Sequence, residues 1–286
     1  MTRSPTIEWQ VAGACNYDCS YCIQSKPYRR GRPQRAQLET AIATFAALPG
    51  RWEIKCSGGE AFAHPLFMEL VVPQLMAQTP HAISVLTNFS ASRAELMEFA
   101  RLTRGRLAVF SASLHLEFTT VEAFADKVAW FALMLDAGVK LVVNQVVLPG
   151  READAARGRD AIEARGLRWF AQLYKHDGGV AEYPQATLVQ LIGKRPANTA
   201  PSYRGRTCWA GVEYFTVDKD GDAWSCRTAK RFGEGALGNL FDGTLRRAFA
   251  PAACSYDICP CSVPVNRGMI EGVAPAPGLA EQEDAE

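Results

Sequence analysis

The stretch Thr6-Ile7-Glu8-Trp9-Gln10-Val11-Ala12-Gly13-Ala14-Cys15-Asn16-Tyr17-Asp18-Cys19-Ser20-Tyr21-Cys22 decides the fold. Its first seven residues alternate apolar Ile7, Trp9 and Val11 with polar Glu8 and Gln10, the period-two pattern of a strand with one dry and one wet face. Three cysteines follow directly, at the strand end where parallel α/β folds place their sites. Three thiolates within eight residues wrap one cluster. Iron–sulfur clusters take cysteine ligands, normally four, so three leave one iron open. The competing reading is a structural zinc site, which wants a fourth ligand and favours C-x-x-C pairs.

Working outward, five more strands are expected at Trp52–Ser57, Ala82–Asn88, Leu107–His115, Val139–Leu148 and Arg168–Lys175. Helical stretches at Gln34–Leu48, Leu66–Ala77, Ser92–Leu102, Val121–Ala137 and Glu152–Ala164 separate them. Strands alternating with helices build parallel βαβ units. A flat sheet covered on both faces would read as continuous apolar runs. Here Trp52, Ile54 and Cys56 alternate with Glu53, Lys55 and Ser57; Ser111, Ser113 and His115 share a face; and Asn144 lies opposite Val143 and Gln145. One face is polar and the other helix-covered, as in a partly open barrel with a wet lumen. Glu8, Gln10, Glu53 and Lys55 then face the lumen, Glu8, Gln10 and Lys55 as candidate substrate contacts, with a self-satisfying Glu53–Lys55 ion pair the alternative. His115 is either a substrate-site residue or a hydrogen-bonded structural histidine. Cys56 falls on the helix-facing side as a small buried hydrophobe.

Bulk properties remove several function classes. The 286 residues carry 31 basic and 30 acidic side chains, net +1, which gives no general attraction to nucleic acid or an anionic membrane. No apolar run approaches the roughly 20 residues a bilayer span needs, and no secretion signal opens the chain. A cytoplasmic location is the expectation. There the nine cysteines read as metal ligands or buried thiols rather than disulfides. The basic run Lys26, Arg29, Arg30 and Arg32 reads as a solvated loop, or as a surface for an acidic substrate or reductase.

The spacing C-x3-C-x2-C after the first strand resembles the signature of the radical S-adenosylmethionine (SAM) superfamily. The resemblance implies a [4Fe–4S] cluster on Cys15, Cys19 and Cys22, its open iron binding SAM, and a 5′-deoxyadenosyl radical after SAM is reductively cleaved. Tyr21 holds the place of the aromatic residue that packs near adenine. Ser57-Gly58-Gly59-Glu60, after the second strand, resembles the motif that holds the SAM amino group; alone it is also an ordinary glycine turn. Asn88 of Thr87-Asn88, Ser111, Ser113, Asn144 and, through backbone near Gln172, Leu173 occupy further SAM-contacting positions. Each is equally well an ordinary hydrogen-bonded strand residue.

Late in the chain, Cys208 is followed by twelve residues, Gly221, four residues and Cys226, then Cys254-x4-Cys259-Pro260-Cys261. A hairpin is expected at Glu213–Val217 and Ala223–Arg227. The pattern resembles the SPASM and shorter Twitch domains. Five cysteines suffice for one auxiliary [4Fe–4S] cluster with one spare: Cys208 and Cys226 first, then Cys259 and Cys261, with Cys254 the spare or a replacement. A zinc knuckle is the alternative. The expected layout is therefore a partial (β/α)6 barrel over residues 1–200, a Twitch-like module over 201–271 and a disordered acidic tail over 272–286.

Such a chain is expected to take an electron from a flavodoxin or ferredoxin, cleave SAM and abstract a hydrogen atom from a substrate. The net reaction is then the oxidation of a small metabolite resembling an amino sugar or aminocyclitol. Only 14 residues precede Cys15, which tilts the expectation away from a peptide substrate. The alternatives are a maturase of a ribosomally synthesised peptide and, from another class, a non-catalytic metal-binding protein.

Overall fold

A computed structural model describes residues 3–176, 179–192, 202–257, 259 and 262–273. Six parallel strands alternate with helices: β1 (Thr6–Ala12), α1 (Arg35–Ala46), β2 (Glu53–Gly58), α2 (Val72–Gln78), β3 (Ala82–Thr87), α3 (Arg93–Leu102), β4 (Leu107–Leu114), α4 (Val121–Ala132), β5 (Lys140–Val147), α5 (Glu152–Glu163) and β6 (Arg168–Leu173). This is the partial barrel expected. Asn88 and His115 sit just past their strands rather than inside them. Lys175, expected in the sixth strand, belongs instead to a small ribbon of β7 (Lys175–His176) and β8 (Gly179–Val180), which precedes α6 (Gln185–Ile192). The helix expected over Leu66–Ala77 is split: a π turn over Phe67–Val71 precedes α2. Pro73 has no N–H to offer the preceding turn, and the ladder widens there.

The C-terminal part adds β9 (Thr207–Cys208), β10 (Tyr214–Val217), β11 (Asp222–Trp224), α7 (Arg227–Arg231), β12 (Ala236–Asn239), β13 (Ala252–Ala253) and α8 (Ser262–Asn266). The hairpin forms, but β11 ends at Trp224 because Cys226 caps α7, its Sγ accepting from the Ala229 N–H. β10 pairs in parallel with β1, Thr6 facing Tyr214, so the hairpin continues the barrel sheet in the order β12-β11-β10-β1-β2-β3-β4-β5-β6. Cys261 and residues 274–286, all but the first two residues of the expected tail, lie outside the described residues. Among the described residues no helix is long and apolar enough to cross a membrane.

The alternation sorts side chains as anticipated. Ile7, Trp9, Val11, Ile54, Cys56, Val85 and Phe110 are buried against the helices, where Trp9 meets Phe45 edge-on at 5.2 Å and Phe110 packs on Phe131 at 4.6 Å. On the lumen side, Glu8 and Glu53 are buried carboxylates, which fold stably only when paired. Lys55 reaches Glu8 (3.3 Å) rather than pairing with Glu53. Arg227 donates to the same Glu8 (2.7 Å), as does the Tyr214 hydroxyl (2.5 Å). Glu53 accepts from Arg267 (2.8 Å) and Ser84 (2.6 Å).

Burial raises the affinity of Glu53 for a proton, but the charge and hydrogen bonds of Arg267, with that of Ser84, outweigh it and hold the carboxyl below its ordinary value of 4.5. A lowered folded-state value means that the stability is complete above the ordinary pKa and is lost as pH falls. The melting temperature should therefore drop below about pH 4.5 in the wild type, and Glu53→Gln should flatten that limb. Arg267→Met should cost about 3–5 kcal/mol in urea unfolding, because it strands a buried charge, and less in a Glu53→Gln background.

Candidate active site

The site is built where β1 and β2 end. Gly59 N–H donates to Ala12 O (2.8 Å) and Glu60 N–H to Ala14 O (3.0 Å), which clamps the glycine turn onto the chain leading into Cys15. A Cβ on Gly58, whose φ is +146°, would sit 2.0 Å from Ala12 O, and one on Gly59 2.2 Å from Gly13 O. The two glycines are thus demanded by the protein's own cysteine loop, beyond any ligand. From the other side the Asn88 amide donates to Asn16 Oδ1 (2.8 Å) and lies 3.8 Å from Cys15 Sγ.

Cys15, Cys19 and Cys22 all face one cavity of about 250 Å³, together with Gly58, Gly59 and Asn88. Of the other residues singled out from sequence, Gln10, Tyr21, Ser113, His115 and Leu173 line it too. Tyr21 stacks on His115, and its hydroxyl lies 2.9 Å from His115 Nδ1, which also lies 3.5 Å from Cys19 Sγ. Burial drives His115 down to about 4, so it is a neutral imidazole at pH 7. Burial likewise raises the Cys15 thiol and holds Cys19 at about 11. A metal binding there displaces their protons.

Cys15, Cys19 and Cys22 on one wall are the thiolate donors that an iron–sulfur cluster takes, and one further observation fits a polar ligand to this cavity. Ser57, on the same wall, has a buried Oγ with no hydrogen-bond partner among the described residues. Such an atom is explained by a bound polar group.

Other expected residues lie elsewhere. Ser111, Asn144 and Lys55 line a second cavity deeper in the lumen. Glu8 lines neither and is spent on its ion pairs. Glu60 is fully buried off the cavity wall. Its carboxylate accepts from Asn88 N–H (2.5 Å), Thr87 Oγ1 (2.7 Å) and Phe62 N–H (3.1 Å), tying the end of β2 to that of β3. Burial pushes it up to about 7 against these donors. Lys26 and Arg29 of the basic run pair with Asp18. Sequence reading missed Arg227, which enters the cysteine cavity from α7; only its place next to Cys226 signals it.

Among the late cysteines, Cys208 pairs with Ala252 across β9 and β13, close to Cys254. Cys208, Cys254 and Cys259 pack on the small core of Tyr203, Val265 and Ile270. Burial raises the Cys208 thiol to about 11, and the neighbouring Cys254 and Cys226 add to that rise.

The Glu60 geometry makes a stability prediction. Glu60→Gln must aim an amide N–H at a donor, costing about 1–3 kcal/mol in urea unfolding without any SAM present. Unchanged stability would leave Glu60 only a ligand-holding part.

No family model matches the chain. The biotin synthase of Chromohalobacter salexigens is 23% identical over 192 residues, 64% of this chain and 48% of that protein. That of Methylococcus capsulatus is 26% identical over 196 residues, 66% of this chain and 57% of that protein. The chain thus matches about half the length of these relatives. In fold, anSMEcpe with bound AdoMet superimposes with a TM-score of 0.57 at 15% identity, over 84% of this chain and 79% of that one. Streptococcus suis SuiB bound to its precursor peptide SuiA gives 0.60 at 13% identity, over 86% and 65%. The biotin synthase matches support the radical SAM superfamily for this chain, and the solved structures share its fold.

Proposed function

We propose that this chain is a radical SAM enzyme that oxidises a small metabolite. The observation that carries the reading is one cavity, at the C-terminal strand edge, walled jointly by the three early cysteines and the glycine turn. Cys15, Cys19 and Cys22 hold the [4Fe–4S] cluster. Bound there, cluster and SAM supply reductive cleavage and a carbon-centred radical able to take a hydrogen atom. The chain's residues prepare that chemistry. Tyr21, stacked on His115, offers a flat wall for adenine with Leu173. Ser57, Ser113 and Asn88 supply polar contacts to SAM. Glu60 positions Thr87 and Asn88. A flavodoxin or ferredoxin provides the electron, and an amino sugar or aminocyclitol is the substrate class that the resemblance suggests.

Cys208, Cys226, Cys254 and Cys259 would hold one auxiliary [4Fe–4S] cluster, which would supply an acceptor for the electron left after hydrogen abstraction. Cys254 is taken as the fourth ligand since it packs on the same small core as Cys208 and Cys259, while Cys261 lies outside the described residues. A peptide substrate is the second reading. Neighbours of similar fold bind peptides, SuiA on SuiB and the Cp18Cys peptide on anSMEcpe.

Anaerobically reconstituted protein, given dithionite and SAM, should release 5′-deoxyadenosine, and Cys19→Ala should release none. Iron analysis should find about eight irons per chain. Cys208→Ala should lower that to about four while SAM still binds by calorimetry. Zinc in place of iron, with no cleavage, would return the chain to the non-catalytic metal-binding class.

A further inference from the structure

Two side chains converge on one cysteine sulfur. β4 ends at Leu114, and the alternation that turns Ser113 to the cysteine cavity carries His115 to the same side. There His115 Nδ1 lies 3.5 Å from Cys19 Sγ and 2.9 Å from the Tyr21 hydroxyl, which itself hydrogen-bonds the Cys19 side chain. The segment after β4 also grips the middle of the cysteine loop, because Ser20 N–H donates to the Glu117 carboxylate (2.9 Å). That contact sets Cys19 against His115. It also brings a negative charge that acts on Cys19 and opposes any electron added beside it.

A proton count gives the triangle its meaning. A sulfur that has given its proton up to bind iron can only accept. A neutral imidazole carries its one proton on either nitrogen. On Nε2, it leaves the triangle with one hydrogen bond, from the Tyr21 O–H. On Nδ1, it allows two: Tyr21 O–H donates to Cys19 Sγ, and Nδ1–H donates to the Tyr21 oxygen or shares itself with the sulfur. Hydrogen bonds to the sulfurs of a cluster favour its electron-rich form and so raise its reduction potential. The donor to Cys15 is backbone and comes with the loop, Tyr17 N–H at 3.4 Å. The donors at Cys19 are side chains, one of them from another strand, which the sequence must supply.

We propose that His115 and Tyr21 act together as a side-chain hydrogen-bond donor to the Cys19 sulfur, and that this donor sets the reduction potential of the cluster on the early cysteines. Both act through Cys19 and are positioning residues. One electron enters from the low-potential reductant, and no bond to sulfur forms or breaks. The inference rests on the radical SAM reading and deepens it: the donor pair offsets the Glu117 charge, so that a flavodoxin or ferredoxin can reduce the cluster.

The test is a potentiometric titration of anaerobically reconstituted full-length protein, followed by electron paramagnetic resonance. The signal read is the one that changes when SAM is added, which separates it from an auxiliary cluster. Tyr21→Phe keeps the ring and loses the hydroxyl, and His115→Phe keeps a ring and loses the N–H. Each should make reduction roughly tenfold less favourable, a fall of about 59 mV for one electron. His115→Asn carries an amide nitrogen where Nδ1 stood and should recover much of that loss. His115→Gln places it where Nε2 stood and should not. A packing role alone would not separate these two. Iron content and melting temperature check that each variant folds and loads; if His115→Phe holds no iron, Tyr21→Phe and the Asn–Gln pair decide. Wild-type potentials in the phenylalanine variants, or equal potentials in His115→Asn and His115→Gln, overturn the proposal. A protein that takes up no reducible cluster would sink the enzyme reading and this inference together. A cluster that cleaves SAM at an unmoved potential would sink the inference alone.

Discussion

Two backbones touch at the top of the barrel, and the site depends on that contact. The turn Gly58-Gly59-Glu60 donates hydrogen bonds to Ala12 O and Ala14 O at a separation no Cβ tolerates. β1 and β2 are adjacent parallel strands, so their ends must diverge around whatever follows each. Here they are held together for two residues longer, and the cysteine loop is released from a fixed point. Glu60 extends the constraint sideways: by gathering Thr87 and Asn88 it brings in β3, whose Asn88 braces the loop at Asn16. Three strand ends thereby become one rigid rim. The loop is braced further along, by Ser20 N–H donating to Glu117 and by Tyr17 stacked on Phe118 at 4.1 Å; a cluster held by three ligands would need such pre-organisation.

The lumen obeys a second constraint. Glu8 and Glu53 project inward from β1 and β2, and burying either unpaired is prohibitive. Their arginine partners come from the far end of the sequence, Arg227 on α7 and Arg267 after α8. The parallel pairing of β10 with β1 puts Tyr214 on Glu8 as well. The C-terminal part therefore completes the electrostatics of the barrel interior in addition to extending its sheet.

Much of this was legible from period and spacing. Alternation in β1, β2, β4 and β5 identified the wet face, because a one-residue slip would have put Trp9 or Phe110 into the lumen. Cysteine spacing and the glycine turn located the rim. What stayed hidden was non-local. Nothing near Lys55 says that it meets Glu8 rather than Glu53, since the choice depends on strand neighbours and on Arg267 more than 200 residues away. Glu60 read as a ligand contact because Gly58-Gly59-Glu60 resembles the motif that holds the SAM amino group; three donors that only folding assembles meet its buried carboxylate.

Arg227 joins the two halves of the molecule. It follows Cys226, borders the cavity of the early cysteines and donates to Glu8, whose other oxygen lies near Lys55 at the second cavity. Burial alone would protonate Glu8, yet the charges of Arg227 and Lys55, with hydrogen bonds from Arg227 and Tyr214, keep it ionised far below the usual carboxylate range. A carboxylate that stays charged keeps both cations in place, and neither is free to collapse onto a ligand. One buried carboxylate thus ties the residue beside Cys226 to Lys55 in the lumen.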